Sequence, residues 1–245
     1  MKHKAMTLME ALIVAVIIAI VALPTIDLMA KMIISEDTFN NDINSKEYKT
    51  AVTEKLIAII MPGDYLYKTN TSITIPAKDS STSVNVTIGA QAVAVLTPKF
   101  NSDGTLNMPS TNITSYKGTA FSIIPESAWN GVSSSKYVLV ETVLDDTSLN
   151  LAIDPNDSLK INTDPPIDWS QGKSFVIATN LKPATFTNQS AAFSSNTERS
   201  SLQFAFVPKA DGLYFPDSQL NSAQTIDDSV YITSVNLRNW RETTY

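Results

Sequence analysis

Apolar and polar positions change their rhythm three times along this chain. Residues 11–23 form an apolar run that Pro24, Thr25 and Ile26 extend. Glu10 stands before it and Asp27 after it. From Asp27 on, apolar residues recur at Leu28, Met32, Ile33, Phe39, Ile43, Val52, Leu56, Ile59 and Ile60. Charges fall between them at Lys31, Glu36, Asp37, Asp42, Lys46, Glu47, Lys49, Glu54 and Lys55. Spacings of three, four and seven place the apolar set on one face of a helix. Pro62-Gly63 ends it.

Beyond Gly63 the period drops to two. Val84, Val86 and Ile88 alternate with polar neighbours, and Val93 and Val95 with alanine. The pattern predicts strands over 72–75, 83–88, 91–96, 120–124, 137–143, 149–153, 174–179, 184–187, 202–207 and 230–237. Turn signals separate them, among them Ser102-Asp103-Gly104, Asn130-Gly131, Asp164-Pro165-Pro166 and Asp211-Gly212. A mainly antiparallel sheet, or two packed sheets, is expected against the second half of the helix.

The stretch 6–26 has the length that a hydrocarbon layer of about 30 Å requires of a helix. Lys2 and Lys4 precede it, which predicts a cytoplasmic N-terminus and an external remainder. Pro24 lacks an N–H and should kink such a helix. Asn40-Asn41-Asp42 and Asn44-Ser45 are weak helix formers, so a bend is expected there. The expected fold class is therefore α+β. A long N-terminal helix, transmembrane in its first half, packs on a mainly antiparallel β C-terminal domain. The boundaries read from the pattern are a leader at 1–5, a helix at 6–61 and a β-rich extracytoplasmic domain at 62–245. Within the helix, 6–26 is the span and 27–61 the amphipathic part.

Glu10 is the anomaly of the N-terminal region. A carboxylate inside an apolar segment is costly and demands a partner. Cleavage after Ala5 would free the amino group of Met6, one helical turn away. A neighbouring copy shifted along its axis could set its own amine against this carboxylate. Such a pair would fix the stagger between subunits as a buried polar pair fixes register in a coiled coil.

The run Ala5-Met6-Thr7-Leu8-Met9-Glu10, with its basic leader and apolar sequel, resembles the class III signal of type IV prepilins and pseudopilins. The resemblance covers about the first 35 residues. It implies that a prepilin peptidase cuts after Ala5 and N-methylates Met6. It also implies that Glu10 takes the family glutamate's part in docking a subunit into a growing filament. Thr7 and Leu8 match the common pattern. Ala5 replaces the usual Gly and Met6 the usual Phe, while Pro24 falls earlier than the helix proline of many major pilins.

The resemblance implies a non-enzymatic structural subunit of a type IV pilus or a type II secretion pseudopilus. The length and the lack of cysteine suit a minor, initiating or tip subunit. The implied partners are the peptidase, other pilins or pseudopilins, an inner-membrane assembly platform, and membrane lipid before assembly. The implied location is a single pass through the inner membrane, with the C-terminal domain outside the cytoplasm, and then a filament. Other readings are a secretory signal cleaved near Ala30, a plain signal anchor, and a membrane-tethered β-rich adhesion module that never polymerises. An exported hydrolase working through carboxylates is a further one.

Composition narrows the chemistry. The net charge is -6, and no Lys/Arg-rich stripe follows the leader, which disfavours phosphate-backbone binding. There is no cysteine, so disulfides and thiolate metal sites are excluded. The single histidine is His3, in the leader. A processed chain therefore lacks imidazole for a catalytic triad or a zinc site. Two loop-rich acidic stretches are the places where calcium would bind: Asp145, Asp146, Asp154, Asn156 and Asp157, and Asn101, Asp103 and Asn107. Neither has EF-hand spacing, so solvated turns, with no cofactor, are the expectation. Trp129, Trp169 and Trp240, with Tyr214 and Phe215, read as separate core or edge packers.

Overall fold

The computed structural model describes residues 29, 31–32, 43–78, 82–108, 114–145, 152–153, 164, 167–197, 199–217 and 225–238. The chain divides into two compact units, Met1–Asn44 and Ser45–Tyr245. In the first unit, the described residues 29, 31, 32, 43 and 44 are helical.

The second unit is built on sheet. Helix α1 comprises residues 45–60, the part of the helical stretch that belongs to this unit. Then come β1 (Tyr65–Leu66), β2 (Ser72–Pro76), β3 (Ser83–Thr87), β4 (Ala92–Pro98) and β5 (Thr114–Pro125). A single helical turn, α2 (Glu126–Asn130), joins β5 to β6 (Tyr137–Leu144), and β7 (Ala152–Ile153) follows. A 3-10 turn at Trp169–Gln171 precedes β8 (Lys173–Phe186), β9 (Phe193–Ser195) and β10 (Ser201–Ala205). The series ends with β11 (Val207–Lys209), β12 (Gly212–Pro216), β13 (Thr225–Ile226) and β14 (Ile232–Asn236).

The main sheet has the order β1-β4-β5-β6-β8-β12-β11, with β7 on β5 and β13 on β8. Its pairings are antiparallel, except that β12 and β13 run parallel to β8. A three-stranded sheet, β14-β10-β9, and the hairpin β2-β3 complete the set.

Strand alternation divides the interior. Val93, Val95, Phe121, Ile123 and Leu139 belong to one cluster, with Val52, Leu56 and Ile60 of α1 and Phe193, Leu202 and Phe204 of the small sheet. Their sequence neighbours Ala92, Ala94, Ala120, Ile124, Val138 and Val140 belong to a second cluster, with Ile73, Ile75, Val86, Trp129 and Trp169. Both faces of the central strands are thus covered. That explains why β4 reads as a nearly continuous apolar run, a pattern that burial on both faces produces. Burying a Leu- or Phe-sized side chain is worth roughly 1.5–3 kcal/mol.

Two local devices seat α1. Val52, Leu56 and Ile60 stand four apart and are buried together, as one helix face requires. Glu141 shares the α1-facing side of β6 with Leu139, and Lys55 reaches it at 2.7 Å. Gly63 then lets the chain turn tightly against β4. A Cβ there would lie 2.4 Å from Val95 Cγ2 and 2.8 Å from the Ile60 carbonyl oxygen.

These observations correct the expected fold class. Among the described residues the structure is mostly sheet, 48% strand, with two helices, one of them a single turn. The long N-terminal helix over 6–61 with a transmembrane first half is not seen. Among the described residues, no helix is long and apolar enough to cross a membrane. The span expected at 6–26, with the kink at Pro24, lies outside the described residues. A single-pass inner-membrane location with the C-terminal domain outside the cytoplasm is corrected with it, because the structure gives that placement no support. The physical reason is the balance of pairing. A periodic apolar stripe is enough to read a helix from sequence, but most of the buried side chains of the second unit come from strand alternation after Gly63, with α1 adding Val52, Leu56 and Ile60.

Candidate functional site

The residues expected to act at the N-terminus, Ala5, Met6 and Glu10, lie outside the described residues, as does Pro24. In the second unit, a different set of residues comes together. It gathers where β1 leaves the main sheet and the chain turns toward β2.

Asp164 is the hub. Its side chain is 9% exposed, and Arg199 Nη1 stands 3.6 Å from its Oδ1. Tyr65 donates its hydroxyl to Oδ1 at 2.7 Å. The backbone N–H of Lys68 donates to Oδ1 at 3.0 Å and to Oδ2 at 3.2 Å. The Thr71 hydroxyl donates to Oδ2. A carboxylate accepts about four hydrogen bonds, so this one is saturated.

Arg199 closes the group from a third segment. Its Nη1 donates to the Tyr65 hydroxyl at 2.6 Å, and its guanidinium carbon lies 4.8 Å from the ring centroid. The Arg199 backbone is held at φ 59°, a left-handed conformation that costs a non-glycine residue about 1–2 kcal/mol. Strain of this kind persists where surrounding contacts over-determine the backbone.

The electrostatics follow from burial. Burial, then the hydrogen bond to Asp164 and its charge, pushes the Tyr65 phenol well above its ordinary value of 10.0, while Arg199 pulls the other way. Tyr67 is raised too, first by burial and then by the charge of Asp164. Both phenols therefore stay protonated, and Tyr65 acts as a donor to Asp164.

Beside this group lies a cavity of about 290 Å³. Tyr67 and Trp169 contribute aromatic surface, Ile73 and Ile167 aliphatic surface, and Thr71, Ser72, Thr74, Asp164 and Asp168 polar groups. Tyr67 and Trp169 meet edge to face at 5.6 Å. Asp168 begins the 3-10 turn and accepts from Ser170 N at 3.1 Å, Ser170 Oγ at 2.6 Å and Gln171 Nε2 at 3.3 Å. The bonds from Ser170, side chain first, hold its carboxyl below the usual range.

The other sequence candidates disperse. Asp145 pairs with Lys99 at 2.7 Å. Asp146, Asp154, Asn156 and Asp157 lie outside the described residues. Asp103 accepts from Thr105 N at 2.9 Å and Thr105 Oγ1 at 2.6 Å, and Asn101 donates to Thr105 Oγ1 at 3.0 Å. That is a self-contained turn. Among the described residues, no group of three acidic or imidazole side chains is placed to hold a metal ion. Trp129 and Trp169 are buried in one cluster, Tyr214 and Phe215 in two others, and Trp240 lies outside the described residues.

Sequence reasoning missed the hub. Asp164 reads as the first residue of an Asp-Pro-Pro turn, and Arg199 as a charge in a polar loop. The available signal was the Tyr65-Leu66-Tyr67 triplet, whose phenols need partners once buried. Comparison with protein-family models, curated proteins and solved structures finds no match to the chain.

Proposed function

We propose that this protein is a structural subunit of a type IV pilus or type II secretion pseudopilus, a minor, initiating or tip subunit, and that it acts without catalysis. The observation that carries the reading is Glu10, a lone acid beside the apolar run and four residues from the amine that cleavage after Ala5 would free. On this reading, a prepilin peptidase removes residues 1–5 and methylates Met6. The amine of one subunit then neutralises Glu10 of the next, so other pilins or pseudopilins are the partners. The β-rich unit supplies the surface of the assembly.

The test is mass spectrometry of the mature protein together with filament incorporation. A chain beginning at methylated Met6, and loss of incorporation in Glu10→Ala with unchanged abundance, are expected. A mature chain that keeps residues 1–5, or one that begins near Lys31, would sink the proposal.

A second reading has its own support, the cavity beside Asp164. A β-rich binding or adhesion module that does not polymerise would use such a cavity and would be indifferent to Glu10→Ala.

A further inference from the structure

We propose that the open edge of β8, residues 173–177, pairs with the same edge of a second copy of this chain, antiparallel and centred on Phe175. The inference rests on the second unit alone and goes beyond the filament reading, which stands on Glu10.

The sheet topology leaves this edge free. On one side, β6 pairs with β8 from Lys173 to Leu181. On the other side, β12 starts its pairing only at Leu181, and β13 follows at Thr185. No strand among the described residues lies against 173–180 on that side. An unpaired strand presents a row of N–H and C=O groups that templates pairing with another chain, unless proline, charge or a bulge blunts it. The segment Lys173-Ser174-Phe175-Val176-Ile177 holds no proline and one charge, and the register against β6 shifts only after Val176. Phe175 is 54% exposed and Val176 36%.

Both ends of the segment are fixed. Gly172 closes the 3-10 turn, its N–H donated to the Trp169 carbonyl at 3.1 Å. At the far end, the Thr179 N–H donates to the Tyr48 hydroxyl of α1 at 2.6 Å, which ends the free edge. A twofold pairing of 173–177 between these stops has its centre at Phe175. It sets Phe175 opposite its counterpart, Ser174 opposite Val176, and Lys173 opposite Ile177. Opposed aromatic side chains stabilise such a pair.

Charge selects a second copy and its direction. Parallel pairing in register would set Lys173 beside its counterpart, a repulsive arrangement. Antiparallel pairing carries each Lys173 toward the partner's Asp211 instead. β12 runs parallel to β8 from the pair Leu213 and Leu181, so Asp211 falls level with Thr179, and Asn180 Nδ2 donates to its carbonyl at 3.1 Å. That is two residues, about 7 Å along the strand, beyond Ile177. The Asp211 side chain is 56% exposed, and its bonds from Lys182 and Tyr214 both use Oδ2. The twofold makes this contact twice and closes the assembly at two copies.

The chain has no cysteine, so single cysteines in the full-length protein, held in mild detergent, report the geometry. Opposed residues of an antiparallel pair have Cα atoms about 4.5–5.5 Å apart, within the span of a disulfide. Phe175→Cys should therefore cross-link to a dimer under mild oxidation. Ser174→Cys and Val176→Cys should not, because each lies about 8 Å from its own counterpart. Val230→Cys, 84% exposed, gives the collision background. Sedimentation of the unsubstituted protein should show a monomer–dimer equilibrium that Lys173→Glu weakens about tenfold. Glu10→Ala, which tests the filament reading, should leave the Phe175→Cys cross-link unchanged. Cross-linking of Phe175→Cys no faster than Val230→Cys would overturn the proposal. So would equal cross-linking at 174, 175 and 176, the mark of parallel pairing, or loss of the cross-link in Glu10→Ala. A protein that sediments as a monomer at every concentration, or a dimer indifferent to Lys173→Glu, would overturn it too.

Discussion

Arg199 and Tyr65 are joined twice, by a 2.6 Å hydrogen bond from Nη1 to the phenol oxygen and by the guanidinium lying 4.8 Å from the ring centroid. The two residues are 134 positions apart in sequence. The contact holds the 65–71 segment to the loop before β10, with Asp164 between them.

The strained Arg199 backbone makes substitutions there informative. Arg199→Ala removes the guanidinium from a largely buried pair and should cost about 3 kcal/mol. Arg199→Gly loses the same contacts but accepts φ 59° without strain, and should be about 1 kcal/mol less destabilised than the alanine variant. Denaturant unfolding of the two variants checks this. An alanine variant more stable than the glycine one would show that the backbone is not strained.

Raised phenol values make the fold sensitive to alkali. A tyrosine whose value is raised on folding contributes stability that is complete below its unfolded value and declines as pH rises past it. For Tyr65 and Tyr67 the decline begins near 10.0, their ordinary value. Tyr214, pushed up to about 12 by burial and then by Asp211, adds to the same slope. The denaturant midpoint should therefore fall steadily above about pH 10. Tyr65→Phe should start less stable and fall less steeply.

Asp228 should produce the opposite sensitivity. It is fully buried and takes hydrogen bonds from Thr187 Oγ1 at 2.7 Å, Asn188 N at 2.9 Å and Asn188 Nδ2 at 2.9 Å. Burial alone would raise its value, but these bonds outweigh it and hold the carboxyl below 3.8. Its contribution is therefore present above 3.8 and lost as pH falls through the lower folded value. Asp228→Asn should lose about 1–3 kcal/mol at neutral pH and show a shallower acid limb in pH-dependent unfolding.

The turn after α1 can be tested by steric load. Gly63→Ala drives a methyl into Val95 and the Ile60 carbonyl, and should destabilise the protein by about 2 kcal/mol. Circular dichroism with thermal unfolding would detect it. An unchanged midpoint would mean that α1 can shift at little cost.

Much of the sheet was legible from alternation. The expected strands at 72–75, 83–88, 91–96 and 137–143 lie within two residues of β2, β3, β4 and β6. Others were miscut. The stretches 174–179 and 184–187 are one strand, β8, because the ladder to β6 shifts register around Asn180, a residue at positive φ, and resumes at Leu181 instead of ending. The stretch 202–207 splits into β10 and β11, which pair in different sheets. β12 was missed, since Asp211-Gly212 reads as a turn and Leu213-Tyr214-Phe215 has no alternation. Parallel pairing on β8 with β11 beyond it buries those three side chains.

By itself, the sequence determined what depends on near neighbours: strand periodicity, the four-residue stripe of α1, the turn at Pro62-Gly63, and the absence of thiol chemistry. Side-chain direction repeats every two or about 3.6 residues whatever the rest of the chain does. Tertiary structure decided which strands adjoin, which face each buries, and that Asp164, Tyr65, Lys68, Thr71 and Arg199 converge. The hydrogen-bonded pairs among them are 93 to 134 residues apart. A polar side chain is driven to a partner only after burial removes water from it, and burial is a property of the closed chain.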